Sequence, residues 1–575
     1  MSNAKDPENS AKKTLAACDI HTTAPKDEEV PQQLVFRNQD ILRIILDFIS
    51  EEEDCRPSRL MGLALVSQAF KESSLDYLWR KLDSHVPIVK LLPDLVQQGN
   101  RFDFSGTLSL SRLSVYASRV RELILPEKSP GFVLSAHSLA RLSMQLNGRP
   151  LLRNLRVVYI HALDATSTAL IPILIPPSVE TLEFRSDFMR SIHLYRSVLP
   201  ALPADFPGLK RLVLDQGHSA SSSQSQPPSP PLPLSSIADL QKLRHLIIRA
   251  PSVALPANLL TNIGRNLVHL ETLSLDVGNS LLIPDEGSIH LCPFVFFSWP
   301  IVKPFPSLKS VHLTIRRTLT TVLRPSLHLC LACSGHILSY VKSLHVRFEP
   351  GSNPSATPAE AKTRLSDICR WLAELPALET VEFSGKLPYS NPISSADIAA
   401  IIGVQPLRDI TIRLADLGPS ATGSGWLREL VDAGFGPAHR RTATLRRLVL
   451  PPKSTLPASM RGLRHVGLAA RGLEELSLPI DSSIGSFQAP FANPEYIPSS
   501  TLRRLVVNDV RATDDFTLME HRNIAQFIDR TFPNLESVVP YRNMQSGGGS
   551  QHVEHWKFIE QLRKDLKSAR EKVLM

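Results

Sequence analysis

One hydrophobic phrase recurs along most of the chain: an aliphatic residue, two mostly polar residues, then aliphatic–any–aliphatic. Leu-Lys-Arg-Leu-Val-Leu at 209–214 is a clear copy. Full copies occupy residues 120–125, 179–184, 209–214, 243–248, 270–275, 308–313, 341–346, 378–383, 407–412, 445–450, 473–478 and 502–507, and weaker ones residues 155–160 and 535–539. Because self-similarity at a spacing of about 25–40 residues marks a repeat architecture, the pattern predicts a solenoid, which usually presents a binding surface.

The phrase also predicts which side chains the repeats display. Strand alternation sends its fourth and sixth residues into the core and its third, fifth and seventh to the other face. The fifth and seventh positions supply a candidate target-binding strip of cationic, imidazole and aromatic side chains. Its members are Tyr159, Arg185, Arg249, His312, His345, Arg347 and Arg413.

The strip favours an acidic or phosphorylated target, because the arginine fork makes paired bonds to carboxylate or phosphate. The alternative is a row of ordinary solvated strand residues, since isolated surface charges contribute little by themselves. Four acidic residues on the same positions would then partly neutralise the row. They are Glu183, Asp215, Asp276 and Glu382.

The pattern is different over residues 34–82, where apolar residues recur at helical spacing. Ile41, Leu42 and Ile45 fall on one stripe of a first helix, and Asp40 stands where it can cap that helix. Two further helices are predicted around residues 60–66 and 70–79.

Three segments of this region resemble an F-box domain in order and spacing. They are Asp-Ile-Leu-Arg-Ile-Ile-Leu-Asp-Phe-Ile at 40–49, Leu-Ala-Leu-Val-Ser-Gln-Ala-Phe at 63–70 and Leu-Asp-Tyr-Leu-Trp-Arg at 75–80. The family's Leu-Pro before the first helix is missing, and Ser67-Gln68 replaces its Cys-Arg. The resemblance implies that an apolar face binds the Skp-type adaptor of a cullin complex, through Ile41, Leu42, Ile45, Val66, Phe70 and Trp79. Alternatively, these helices only cap the solenoid.

Strand, turn and helix alternate over about residues 105–540, and this stretch resembles the leucine-rich-repeat family. The family's Asn after the third aliphatic position is absent from most copies. The predicted fold is therefore an α/β, irregular leucine-rich-repeat solenoid, with a parallel concave sheet, helices on the convex side and an amino-terminal three-helix module.

Together the two resemblances imply a non-catalytic substrate receptor of an SCF-type ubiquitin ligase. The alternatives are an interaction scaffold unconnected to ubiquitin, and nucleic-acid binding through the arginines.

The predicted organisation has four parts: a disordered tail at 1–33, the helical module at 34–82, the solenoid at 83–545 and a capping helix at 546–575. A Ser- and Pro-rich stretch at 217–236 is predicted to be a disordered insertion in the solenoid. Residues 86–96 are predicted to form a helix.

Composition narrows the partners and the compartment. The net charge is +9 over 575 residues, and Lys and Arg are scattered with little aromatic interleaving, which argues against nucleic acid. The amino terminus lacks an apolar signal core, and the most apolar stretches are too short to span a bilayer, so no membrane is expected. Six irregularly spaced cysteines favour reduced thiols in the cytoplasm or nucleus.

Motifs for chemistry are nearly absent. Cys330 and Cys333, between His328 and His336, have metal-ligand spacing, but a lone cysteine pair more often packs as small buried hydrophobes. Phosphate-binding loops, nucleophile elbows and His-Glu-x-x-His motifs do not occur. The sequence therefore predicts no catalytic residues, metal or cofactor, and a protein that is not an enzyme.

Overall fold

The computed structural model divides into two compact units, residues 1–81 and residues 82–575. The structure describes residues 38–51, 57–66, 68–92, 95–98, 101–104, 110–126, 133–161, 165–185, 188–189, 191–217, 234–250, 259–277, 305–315, 340–349, 372, 375–385, 395–402, 407–413, 426–435, 444–451, 457–483, 500–511, 516–541 and 552–574. The predicted tail, most of the predicted insertion and the Cys330–Cys333 pair lie outside these residues.

The helices and strands are numbered in chain order. The helices are α1 Gln39–Glu51, α2 Pro57–Val66, α3 Gln68–Arg80, α4 Val86–Val89, α5 Ser111–Ala117, α6 Ala136–Leu146, α7 Ala165–Leu174, α8 Leu199–Asp205, α9 Leu259–Asn266, α10 Ser395–Ile402, α11 Trp426–Phe435, α12 Met460–Ala469, α13 Leu518–Thr531 and α14 Val553–Leu574. The strands are β1 Lys81–Leu82, β2 Leu95–Gln98, β3 Arg101–Phe104, β4 Glu122–Leu125, β5 Val133–Leu134, β6 Val157–Ile160, β7 Thr181–Arg185, β8 Arg211–Asp215, β9 His245–Arg249, β10 Thr272–Val277, β11 Ser310–Ile315, β12 Ser343–Phe348, β13 Thr380–Gly385, β14 Asp409–Ile412, β15 Arg447–Val449, β16 Ala458–Ser459, β17 Glu475–Asp481, β18 Arg504–Asp509 and β19 Ser537–Pro540.

In the first unit, helices α1, α2 and α3 share a small apolar core. Leu42 and Leu46 of α1 and Leu60 of α2 are buried. Tyr77 of α3 donates its hydroxyl to Asp47 Oδ1 of α1 at 2.5 Å. Burial and this carboxylate raise the pKa of Tyr77 to about 12, so the phenol stays protonated and keeps α1 joined to α3.

The second unit is built on a sheet of sixteen strands in the order β1, β4, β6 to β15, β17, β18, β19, with β16 attached to β17. Neighbours from β4 to β19 pair in parallel, and each pair aligns the same position of the repeated phrase. Sequence neighbours become spatial neighbours along this path. This parallel α/β sheet confirms the predicted solenoid-like architecture, and the F-box identity of the first unit stays a prediction.

The alternation of the phrase explains this sheet. Fourth-position residues such as Leu212, Leu246 and Val381 are buried, as are sixth-position residues such as Phe184 and Ile248. Each fully buried aliphatic side chain stabilises the fold by about 1.5–3 kcal/mol, so the repeats hold one another in register.

Several repeats enter their strand through a turn that begins with an aromatic or leucine residue followed by proline. In Phe206-Pro-Gly-Leu209 the amide of Leu209 donates to the carbonyl of Phe206 at 3.1 Å, and Phe305 and Leu308 form the same turn at 3.2 Å. Proline suits its place because its fixed φ is that of the second turn residue.

Two local predictions differ from the structure. Within residues 86–96 the described residues form the short helix α4 and the start of β2, which pairs antiparallel with β3 in a separate three-stranded sheet. Pro87 fits the first turn of α4, and the consecutive polar residues Gln97 and Gln98 follow the apolar run. Leu234 to Ser236, predicted as the end of the insertion, begin a 3-10 helix that continues to Asp239.

The carboxyl-terminal helix α14 packs against α13 and the end of the sheet. Trp556 and Ile559 are buried, and the indole Nε1 of Trp556 donates to Asp509 Oδ2 of β18 at 3.0 Å. The buried guanidinium of Arg563 bonds Glu560 and donates to the carbonyl oxygens of Leu535 and Glu536 beside β19. The last repeat is therefore covered by a helix that satisfies its backbone.

Candidate interaction surfaces

The third, fifth and seventh positions of the repeats form one face of the sheet, called here the odd-position face. Its fifth column aligns His312 with His345 and His345 with Glu382. Its seventh column aligns Asp215 with Arg185 on one side and Arg249 on the other. The register thus arranges the residues of the strip and their acidic neighbours in continuous rows across adjacent strands.

His312 and His345 form a stacked pair at the centre of this face. Their ring centroids are 4.4 Å apart and the ring planes differ by 8°. The Nε2 atoms of His312 and His345 lie 3.0 Å and 2.8 Å from Ser310 Oγ and Ser343 Oγ. His345 Nδ1 lies 3.1 Å from Glu382 Oε2, which fixes this nitrogen as the donor. Both imidazoles are therefore held edge-on by residues of the third and fifth columns.

His312 is the more electrostatically constrained residue of this face. Burial lowers the pKa of His312, and the neighbouring His345 and Arg249 lower it further, while Glu382 acts in the opposite direction. His312 is therefore neutral near pH 7. A neutral imidazole can both donate and accept a hydrogen bond, so His312 suits a polar ligand group.

Three of the four strip arginines are held by acidic neighbours. Arg185 Nε lies 2.5 Å from Glu183 Oε1, with its guanidinium 5.5 Å from the centre of the Tyr159 ring. Arg249 lies 3.1 Å from Asp215 and Arg347 lies 3.1 Å from Glu349.

Arg413 is different. Its backbone amide donates to Phe383, its side chain is exposed, and no ion pair joins it to another described residue. The strip is therefore partly neutralised, with arginines oriented by their neighbours.

The strip is long rather than compact. Tyr159 lies on β6 and Arg413 directly follows β14, eight strand steps away. At about 4.8 Å a step this is about 38 Å, which exceeds a small-molecule site. His312, His345 and Arg347 share two adjacent strands, whereas Tyr159 and Arg185 lie at one end. Such a surface suits an extended or globular macromolecular partner.

The fifth column is less accessible than alternation alone predicts. Val213, Val449 and Thr411 are buried despite their odd position. Strands this close together cover short side chains on both faces.

On the first unit, the six predicted adaptor residues fall into three groups. Leu42 is a core residue, Ile41, Ile45, Phe70 and Trp79 are half-buried, and Val66 is exposed. The large apolar side chains that are most exposed are instead Ile44 and Phe48 on α1 and Leu65 and Val66 on α2, with Met61 half exposed. Their signal in the sequence was the i, i+4 pair Ile44 and Phe48, opposite the Leu42–Leu46 stripe.

A column of charges lies one residue before each repeat strand, directly after the first aliphatic position of the phrase, and is called here the entrance column. Its cations are Arg121, Arg156, Lys210, Arg244, Lys309, Lys342, Arg408, Arg446 and Arg503. Its acids are Glu180, Glu271, Glu379, Glu474 and Glu536. Backbone N–H···O bonds of 2.7–2.9 Å join every successive pair, so the column is continuous.

Among the described residues, no cluster of three or more His, Cys, Asp or Glu could hold a metal ion, and no helix is long and apolar enough to cross a bilayer.

No protein-family model matches the chain, and no curated protein matches it. Among solved structures, it is similar to a leucine-rich-repeat protein of Leptospira interrogans. The identity is 11%, the TM-score is 0.32, and the match covers 74% of this chain and 91% of the other. A likeness this distant adds nothing to the description of the sheet, which rests on the strand register above.

Proposed function

We propose that this chain is a non-catalytic receptor that holds a target protein on the odd-position face of its repeats. The proposal rests on the unbroken parallel register from β4 to β19, which aligns the side chains of the third, fifth and seventh phrase positions over many strands. A solenoid of this kind offers extended area rather than a closed pocket. Its role would be to raise the local concentration of a target and to orient it.

The finer proposal is that the first unit binds a Skp-type adaptor, so that the chain serves an SCF-type ubiquitin ligase. It is supported by the three-segment resemblance to an F-box and by the exposed apolar residues of α1 and α2. Ile44 and Phe48 are each about 70% exposed on a helix whose other side forms the core. Exposed apolar residues grouped in this way are typical of protein contact sites. Without adaptor binding, the chain would be a plain interaction scaffold.

The adaptor test uses the double substitution Ile44→Asp and Phe48→Asp in the full chain. We expect it to abolish co-purification with a purified Skp-type adaptor, because two charges would be placed in an apolar contact. Lys71→Glu, an exposed change on α3, is the matched control and should keep the adaptor. Thermal unfolding should be unchanged in both variants. If the double variant still binds the adaptor, the proposed adaptor contact is wrong, and a plain interaction scaffold is the remaining proposal.

The target test uses charge reversal on the other unit. Arg249→Glu with Arg347→Glu should abolish capture of the proteins that the unaltered chain retains, as compared by mass spectrometry. Both side chains are more than half exposed, so the fold should tolerate the change. An unchanged set of captured proteins would show that the strip is a solvated row of charges.

A further inference from the structure

The entrance column has a regular order of charges along the sheet. From β4 to β17 two cations are followed by one glutamate, and this group of three is repeated four times. Lys210 and Arg244 precede Glu271, Lys309 and Lys342 precede Glu379, and Arg408 and Arg446 precede Glu474. Each adjacent pair of cations is called here a cation doublet. Doublets therefore recur every three strands, or about every 14 Å.

The ion pairs of this column link each glutamate to its neighbours. Glu271 lies 3.1 Å from Lys309 and 3.6 Å from Arg244. Glu379 lies 2.7 Å from Lys342 and 4.0 Å from Arg408. The lysine ammonium groups hold the pKa of Glu271 and Glu379 below the usual range, so both are ionised.

The cations of the column outnumber its acids, and at the centre of the column they reach further into solvent. Nine cations and five glutamates leave 9 − 5 = 4 positive charges on the column. The side chains of Lys309 and Lys342 are 61% and 57% exposed, whereas those of Glu271 and Glu379 are 29% and 28% exposed. At the centre of the column a partner therefore meets the doublet of Lys309 and Lys342 first, with Glu271 and Glu379 partly covered on either side of it.

The spacing and surroundings of the doublets define the class of partner. An extended peptide advances about 14 Å in four residues, and residues four apart lie on one face of it. The entrance column and the third column beside it contain no Phe, Tyr or Trp and a single imidazole, that of His245, so they offer nucleic-acid bases little to stack on.

We propose that the entrance column binds an extended acidic peptide segment whose carboxylates recur every fourth residue, one at each cation doublet. This surface is separate from the strip, and its partner need not be a target for ubiquitin. It is also independent of the first unit and of the adaptor.

The experiment measures binding of two synthetic peptides to the full chain by fluorescence anisotropy at about 50 mM salt, where surface charges are weakly screened. Both peptides have the same composition, with Glu at every fourth residue in one and at every third in the other. We expect the four-residue peptide to bind about fivefold more tightly.

Two variants test the column itself. Lys309→Gln with Lys342→Gln should weaken binding of the four-residue peptide about fivefold, because two exposed ion pairs are lost. Glu271→Gln with Glu379→Gln should strengthen it, an effect that damage to the fold cannot produce. Arg249→Glu with Arg347→Glu is the control and should leave the affinity unchanged, whatever happens to target or adaptor binding.

Three results would overturn the proposal. They are equal affinities for the two peptides, affinities unaffected by both entrance-column variants, and tighter binding of a single-stranded RNA of equal charge than of the four-residue peptide.

Discussion

At the scale of single residues, Gly385 shows how closely neighbouring strands approach at the end of the phrase. Its φ is +103°, and a Cβ built there would lie 1.8 Å from the carbonyl oxygen of Phe348. Only glycine adopts this backbone without strain. The side chain of the same Phe348 stacks with Phe383, with ring centroids 6.4 Å apart.

Gly385→Ala is therefore expected to lower the free energy of unfolding by at least about 2 kcal/mol, since both the backbone and the contact are incompatible with Cβ. Thermal or urea unfolding would measure the loss. Gly208→Ala is the control, because a Cβ there meets Pro177 O at an ordinary 3.6 Å. Similar unfolding curves for the two variants would contradict this account.

Residue-level prediction from the sequence succeeded for the core and was incomplete for the surface. The period-two pattern identified Leu212, Leu246 and Val381 as buried, because burial follows directly from strand alternation. The same pattern could not foresee that His312 and His345 stack, since stacking depends on the register between strands. On α1 the i, i+4 pair Ile44 and Phe48 did signal an apolar face, but a stripe alone does not tell a core face from a docking face, and Leu42, predicted to contact the adaptor, lies inside.

At the scale of elements, α13 and α14 meet through a cluster of imidazoles and aromatic rings. The Nε2 of His521 on α13 lies 3.1 Å from the Nδ1 of His555 on α14, and Phe516 stacks on both rings. One of the two facing nitrogens must lack a proton for this hydrogen bond to exist. The contact between the helices therefore depends on the charge of the imidazoles.

Burial lowers the pKa of His521, and His555 and Arg511 lower it further, against Glu520 and the Thr517 backbone, which raise it. An unfolded chain takes up this proton first as the pH falls below about 6.5, so protonation favours unfolding. Stability is complete above that pH and decreases below it.

His521→Phe should flatten the decline between about pH 7 and pH 5.5, which unfolding temperatures across that range would show. Burial raises the pKa of Asp529 on the same helix, which acts in the opposite direction, so the comparison is made between variant and parent. An identical pH profile in the two proteins would exclude His521 as the cause.

Element boundaries were predictable where local chemistry marks them. Helix α13 begins at a capping box, in which Thr517 accepts from the Glu520 amide while Glu520 accepts from Thr517. The apolar period alone, which begins at Ile524, would start this helix six residues too late, whereas the cap at Thr517 marks its true beginning. The three-stranded sheet could not be foreseen, since β2 and β3 are short and pair outside the repeat.

At the scale of the whole second unit, helix α14 covers the end of the sheet. β19 is the last strand in the order, and Trp556, Ile559 and Arg563 of α14 are almost completely buried there. Terminal repeats need such a cover, because an open strand edge invites pairing with another chain.

A chain that stops before residue 552 should therefore unfold at a lower temperature and associate as its concentration rises. Burial of Trp556 and Ile559 alone stabilises by about 3 kcal/mol or more. Sedimentation velocity and thermal unfolding would report both effects. Lys557→Ala, which removes only an exposed ion pair with Glu554, is the control. A truncated protein that stays monomeric and equally stable would contradict the covering role of α14.

The order of the strands was the most predictable property of the whole unit. In a solenoid each repeat contacts its neighbours along the chain, so the succession of the phrases predicted the path of the sheet from β4 to β19. The charge order of the entrance column can likewise be read from the phrases, but the spacing between its doublets follows only when consecutive strands are placed side by side.

The connections between strands vary greatly in length while the register does not. β9 ends at Arg249 and β10 begins at Thr272, whereas β10 ends at Val277 and β11 begins only at Ser310. Insertions and deletions can therefore accumulate between the strands without displacing the columns. The side chains of a column can therefore be substituted one strand at a time, which changes the binding preference of the surface while the backbone register stays the same.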